Sequence, residues 1–233
     1  MIANKKEFGG GLVMMAGFWV VFALLLSPLY PGQDNKKVNM LDYMDSLYNS
    51  ISKKSAYYIP EIVKKADKLK GSSFSVTMKV EDKNSVARIA TMLRTSGATV
   101  EEGASELKVS GDLGVVLNAA MADTELAYAN NGEALQARHG AEAKQVMFDW
   151  WNTLSTMEKS FTKQEKFTES TTLNKAKTKA VETAYNYYGI EAQSIKDKMV
   201  IVVLSLAGYV IYTMWFGFSI LFMFEGWGLK LEH

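Results

Sequence analysis

The chain carries two histidines, and His233 closes the run Leu231-Glu232-His233, which reads as the remnant of an expression tag and is set aside. That leaves His139, in the run ARHGAE with Arg138 beside it, as the one side chain suited to proton transfer near neutral pH. A histidine-based metal site within one chain needs a second histidine at helical or turn spacing, and none is present. His139 therefore reads as a solvated surface residue near a helix start. Glu101, Glu102 and Glu106 fall on a predicted hairpin and offer carboxylates to a cation, but exposed carboxylates on strands are common without one. The run GDLG, Gly111 to Gly114, joins a strand to a helix, and helix N-termini attract anions. Without a following lysine or a longer glycine pattern it reads as a turn with Asp112 as the cap. Trp150 and Trp151 have faces on which a ligand can stack; one fits a core seam and the other an interface.

Cysteine is absent, which removes disulfides, thiolate metal sites and cysteine nucleophiles. A net charge of +1 argues against nucleic acid as a partner. No reaction, cofactor or metal follows from these residues, and the expectation is a protein that is not an enzyme.

The elements that hold these residues begin and end in apolar helices. From Met199 to Phe224 there is no Asp, Glu, Lys, Arg or His, a run longer than the roughly 20 residues that cross a bilayer. Another uncharged run lies between Glu7 and Asp34, its helix ended by Pro28 and Pro31. A cleaved signal peptide would share Lys5 and Lys6, but no small-x-small site follows Leu26. Both runs read as transmembrane helices. Ionisable groups, the usual mark of a proton or ion path, are missing from both. Ala207, Gly208 and Gly217 give small spots for close packing in the second span, and Glu225 belongs at its water boundary.

About 165 residues lie between the spans, enough for a domain with its own core. In 40 to 51, Leu41, Met44, Tyr48 and Ile51 predict an amphipathic helix with one buried stripe. Pro60 opens a second, with Ile62, Val63, Ala66 and Leu69 inward and Gly71 as the stop. Phe74, Val76, Met78 and Val80 alternate with polar residues, which makes a strand with one wet face. A helix over 84 to 95, two short strands about Gly103-Ala104 and a helix from Asp112 complete a small α+β unit that resembles half of a ferredoxin-like fold in architecture only.

Beyond Asn130-Asn131-Gly132 the apolar spacing becomes that of a coiled-coil seam: Ala143, Met147, Trp150, Leu154, Met157 and Phe161. A second helix near Ser170 offers Leu173, Ala176, Ala180, Ala184 and Tyr187, which predicts an antiparallel hairpin that stands as a stalk and runs through Gly189 into the last span. The expected fold class is thus an α+β membrane protein, two transmembrane helices flanking a soluble domain that has a small βαββα unit and a long helical hairpin stalk. By residue, 1–10 is an N-terminal tail, 11–30 the first span, 31–71 membrane-proximal helices, 72–130 the α+β unit, 131–198 the stalk, 199–224 the second span and 225–233 a C-terminal tail.

Lys5 and Lys6 favour a cytoplasmic N-terminus, which puts the middle domain outside a bacterial inner membrane, although Lys36, Lys37, Lys196 and Lys198 flank the spans on the domain side. Phe148, Trp151, Tyr185 and Tyr188 lie off the seam, and with Gly208 and Gly217 they are the expected interface residues. The bilayer is one expected partner, and a second copy of the chain or another membrane protein is the other. The function expected is that of a structural or interaction protein, a scaffold or complex subunit; the alternatives are an extracytoplasmic sensory or ligand-binding module and a channel-like oligomer of two-span subunits.

Overall fold

The computed structural model describes residues 2–32, 36–79, 83–103 and 106–229, so Asp34, Val80, Ala104 and the tag remnant lie outside the described residues. In chain order come α1 (Lys5–Leu26), the short strands β1 (Tyr30–Pro31) and β2 (Lys37–Val38), α2 (Met40–Ser55), α3 (Ile59–Asp67), β3 (Ser73–Lys79), α4 (Lys83–Thr95), β4 (Thr99–Glu102) and β5 (Glu106–Asp112). Then follow α5 (Leu113–Tyr128), α6 (Gly132–His139), α7 (Ala143–Lys163), α8 (Phe167–Lys175), a π-helical stretch (Ala176–Val181), α9 (Glu182–Asn186) and α10 (Ile195–Trp227). They form two units, Met1–Ile51 with Gln193–His233, and Ser52–Ala192.

In the first unit α1 and α10 pack antiparallel and are both long and apolar enough to cross a membrane, and almost none of either is buried within the protein. Asn4 caps α1 by accepting from the amides of Lys6 and Glu7, and the helix stops at Leu26, just before Ser27-Pro28. The two helices approach closely where glycines leave room. A Cβ at Gly11 would lie 2.7 Å from the Met223 amide nitrogen, and one at Gly226 would run into the Phe8 backbone. Trp215 Nε1 donates to the Met14 carbonyl at 3.0 Å, and the Phe18 ring stacks on Tyr212 at 4.3 Å. Gly208 and Gly217, by contrast, have nothing within 4 Å of a Cβ built on them, so they face away from α1.

Within this unit α2 buries only part of the stripe its sequence predicts, Ile51 but not Leu41 or Tyr48. Leu41 is exposed and Tyr48 largely so, while Leu47, Ser50 and Ile51 are buried. On the other side of the helix the Tyr48 hydroxyl meets Ser205 Oγ at 2.8 Å, so Tyr48 makes a polar contact with α10 in place of the predicted buried one.

The second unit is built on an antiparallel sheet in the order β3-β5-β4, with Val76 and Val100 both opposite Val109. Phe74, Val76 and Met78 point into the core and Ser75, Thr77 and Lys79 out of it, as the alternation requires. Asp112 caps α5 by accepting from Val115 N and also from Gly71 N, and those amides hold its carboxyl below the usual range. Gly114 lets α5 lie against the backbone of Ala66 to Lys70, where a side chain would clash.

The helical hairpin is present as α7 against α8, the π-helical stretch and α9, but it is not a stalk. Its buried residues Met147, Trp150, Leu154, Met157, Phe161, Leu173, Ala176, Ala180 and Ala184 share one core with the sheet and with α5. A two-helix seam would need only a narrow stripe, whereas α7 also buries Val146 and Thr153 on the adjoining face, and the Phe161 ring packs 6.4 Å from that of Phe74 on β3. The expected continuous rod into the last span is also absent. α9 ends at Asn186, Gly189 takes φ of 86°, and α10 begins afresh after its cap Ser194. The free backbone groups there are met by side chains: Asn130 Oδ1 accepts from Gly189 N at 2.8 Å, and the Ile190 carbonyl accepts from Lys53 and Asn130.

Candidate functional site

A buried polar cluster lies inside the second unit and is centred on Asp123, which α5 carries into the core. Its Oδ1 accepts from Arg138 Nη1 at 2.6 Å, and its Oδ2 from Trp150 Nε1 at 2.9 Å and His139 Nε2 at 2.7 Å. The expected solvated histidine is therefore a buried one: the His139 side chain is 2% exposed. It sits at the end of α6, not at a helix start, and Gly140 in a left-handed conformation ends the helix after it. Burial pushes the Asp123 carboxyl up, but the bonds from His139, Trp150 and Arg138 outweigh that and hold it below its ordinary value.

What this arrangement does is fasten three helices together. His139 Nδ1 is buried with no hydrogen-bond partner among the described residues, so none of their hydroxyls is placed on it to serve as a nucleophile. Among the described residues no group of three or more His, Asp or Glu side chains is arranged to hold a metal. Sequence spacing gave no sign of this cluster, because residues 123, 138, 139 and 150 come from three separate helices. The one signal was an aspartate among the apolar positions of α5.

Two further ion pairs tie α7 to its neighbours. Arg88 grips Asp149 with two bonds of 2.5 and 3.1 Å, and Glu158 accepts from Lys177 and Asn174. The acidic hairpin is also matched with cations, Glu102 by Arg94, Glu101 by Lys108 and Glu106 by Lys79.

Of the expected interface residues, the fold gathers Phe148, Trp151 and Tyr185 around one groove between α7 and α9, a cavity of about 330 Å³ floored by Met147 and Val181. Phe148 is 51% exposed, and Tyr185 is exposed as well. The Trp151 indole is fixed by a bond from Nε1 to Glu182 at 2.7 Å, with Lys177 over its face. Val181 belongs to the π-helical stretch, an irregularity often found at functional sites. Tyr188 is not in this groove. It lines a more open depression with Lys144 and Glu142, its hydroxyl against Gly132. Gly208 and Gly217 belong to the other unit, on the open side of α10.

A second cavity, of about 350 Å³, has Lys53, Tyr57, Glu125, Tyr128, Asn130 and Glu191 in its wall. Nothing in the spacing of NSISKK marks Lys53 as buried. No protein-family model matches the chain, and neither a curated protein nor a solved structure matches it.

Proposed function

We propose that the protein is a membrane-anchored interaction subunit of a bacterial inner membrane. α1 and α10 are its two anchors, and Ser52–Ala192 is a folded unit held on the extracytoplasmic side that binds a second copy of the chain or another membrane protein. The observation that carries this reading is the groove between α7 and α9. It keeps Phe148 and Tyr185 open to solvent beside a fixed indole, in a unit that buries most of its large apolar side chains in one core. Rigid aromatic side chains around a partly formed pocket are what interface hot spots use.

Mass measurement of the detergent-solubilised protein, wild type against Phe148→Ala with Tyr185→Ala, tests the proposal. An oligomer or a co-purifying protein that is lost in the variant, with the thermal midpoint unchanged, is the expected result; a monomer from which the variant releases nothing would refute it. Single cysteines at the exposed positions Ser75 and Thr168 test the sidedness. Both should react with an impermeant thiol reagent in intact cells, and reaction only after lysis would reverse the topology.

A further inference from the structure

The last turn of α2 puts Lys53 where lysine is seldom found: it is 1% exposed and belongs to the wall of the second cavity. Its Nζ donates to Asn130 Oδ1 at 3.0 Å and to the Ile190 carbonyl at 2.6 Å, and lies 4.9 Å from the centre of the Tyr128 ring. An ammonium has three donors. Two of them are spent on neutral oxygens, and among the described residues Lys53 forms no ion pair. Burial presses its pKa down and Glu191 pulls it back up, as expected of a cation whose counter-charge stands off.

The rest of the wall is fixed in advance. The Tyr57 hydroxyl donates to both Glu125 oxygens, at 2.8 and 2.9 Å, and Tyr128 donates to the Lys53 carbonyl at 2.8 Å. The two tyrosine rings lie 4.8 Å apart at 43°, and Asn130 Nδ2 donates to Glu191 at 3.2 Å. The wall thus has two lysines, Lys53 and Lys54, against two glutamates, Glu125 and Glu191, beside a pair of aromatic faces. An anion entering this cavity meets the glutamates and a cation meets the lysines; a ligand with both charges can satisfy each end.

We propose that the cavity binds a free α-amino acid, its carboxylate on Lys53 Nζ, its ammonium on Glu191 or Glu125, and its side chain against the rings of Tyr57 and Tyr128. The volume agrees, lying at the small end of the roughly 300 to 1,000 Å³ usual for ligand sites. This goes beyond the anchoring role, because it gives the second unit a ligand of its own. Occupancy would add a further bond to the side chain that holds Ile190.

The test is calorimetric titration and thermal shift of the full-length protein in detergent, with the twenty amino acids, acetate and methylamine. Each is tried up to about 10 mM, tenfold above a millimolar dissociation constant. At least one amino acid should bind saturably and raise the thermal midpoint, and neither acetate nor methylamine should do so. Glu191→Gln and Lys53→Met should each weaken binding about tenfold or more, as loss of a hydrogen bond to a charged group does. Lys53→Met also removes the clamp on Ile190 and can fail to fold, in which case Glu191→Gln, which keeps its shape, decides alone. Absence of binding by every amino acid, equal binding of acetate, or unchanged affinity in Glu191→Gln would each overturn the proposal.

Discussion

Replacing Asp123 by asparagine keeps the volume of the side chain and removes its charge. In the folded protein that carboxylate receives three donors, from Arg138, His139 and Trp150, and it is buried. An asparagine has one acceptor oxygen in place of two and turns a donor toward at least one of these donors. Removing one member of a buried charge pair costs about 3 to 5 kcal/mol when the other is left unpaired. Arg138 is less buried than Asp123 and can turn partly to water, so about 3 kcal/mol is expected for Asp123→Asn and the upper end of that range for Asp123→Ala. Urea unfolding of the detergent-solubilised protein reads this directly through tryptophan fluorescence, since the Trp150 indole is bonded to the residue being changed.

The pH dependence gives an independent check with a definite sign. The Asp123 carboxyl is held below its unfolded value, so its contribution is fully present above the ordinary aspartate pKa and is lost as pH falls through the lower folded value. Asp123→Asn should therefore cost most at neutral pH and progressively less in acid below about pH 4. A loss under about 1 kcal/mol at pH 7, or a loss that does not shrink in acid, would refute the view that this carboxylate is charged and holds three helices together.

His139→Ala should cost about 1 to 3 kcal/mol in the same unfolding assay, since it takes one donor from a buried carboxylate; a change under 0.5 kcal/mol would mean that the ring is solvated after all. Gly226→Ala should weaken the α1 to α10 contact, lowering the thermal midpoint in detergent by an amount equivalent to about 1 to 3 kcal/mol, because its methyl group meets the Phe8 backbone. Gly208→Ala, with open space around it, should leave that midpoint unchanged or raise it slightly. Glu102→Gln should move stability by less than about 1 kcal/mol, since its pairing with Arg94 is largely exposed, and salt should reduce even that.

Local periodicity made much of the secondary structure legible. The alternation of Phe74, Val76 and Met78 and the cap at Asp112 are set by neighbours in sequence, and the structure has the strand and the helix start there. Packing between distant segments was much less legible. The stripe on α7 has a spacing that fits one opposing helix, but Val146 and Thr153 are buried beside it and Phe161 packs against Phe74 of β3, and this turns an expected stalk into part of a core. Likewise His139 looks like a surface residue beside Arg138 until α5 brings Asp123 to it. The glycines that matter between the apolar helices, Gly11 and Gly226, lie near opposite ends of the chain, so no local pattern distinguishes them from Gly208 and Gly217. The Lys53 cavity was illegible for the same reason. Its wall comes from α2, the end of α5 and the segment after α9, three stretches far apart in the chain between Lys53 and Ala192.

α10 has 33 residues and α1 has 22, a difference of about 16 Å at 1.5 Å per residue. The Asn4 amide bonded to the Gly226 carbonyl brings the two helices level at one end, so the whole surplus of α10 falls at the other, around Ser194. Under the proposed anchoring, a bilayer with about 30 Å of hydrocarbon matches α1, whereas α10 has about three further turns at the Ser194 end, which start with the charged Lys196, Asp197 and Lys198 and continue into the apolar run Met199 to Leu204. Two tyrosine contacts of this unit lie near that level, Tyr48 on Ser205 and Tyr30 against Tyr43, as suits side chains with one apolar face and one wet tip. Under that reading the two helices match different membrane thicknesses. A thicker bilayer would draw the upper turns of α10 into hydrocarbon while stretching past the end of α1, and that strain would fall on the Tyr48–Ser205 contact between α2 and α10.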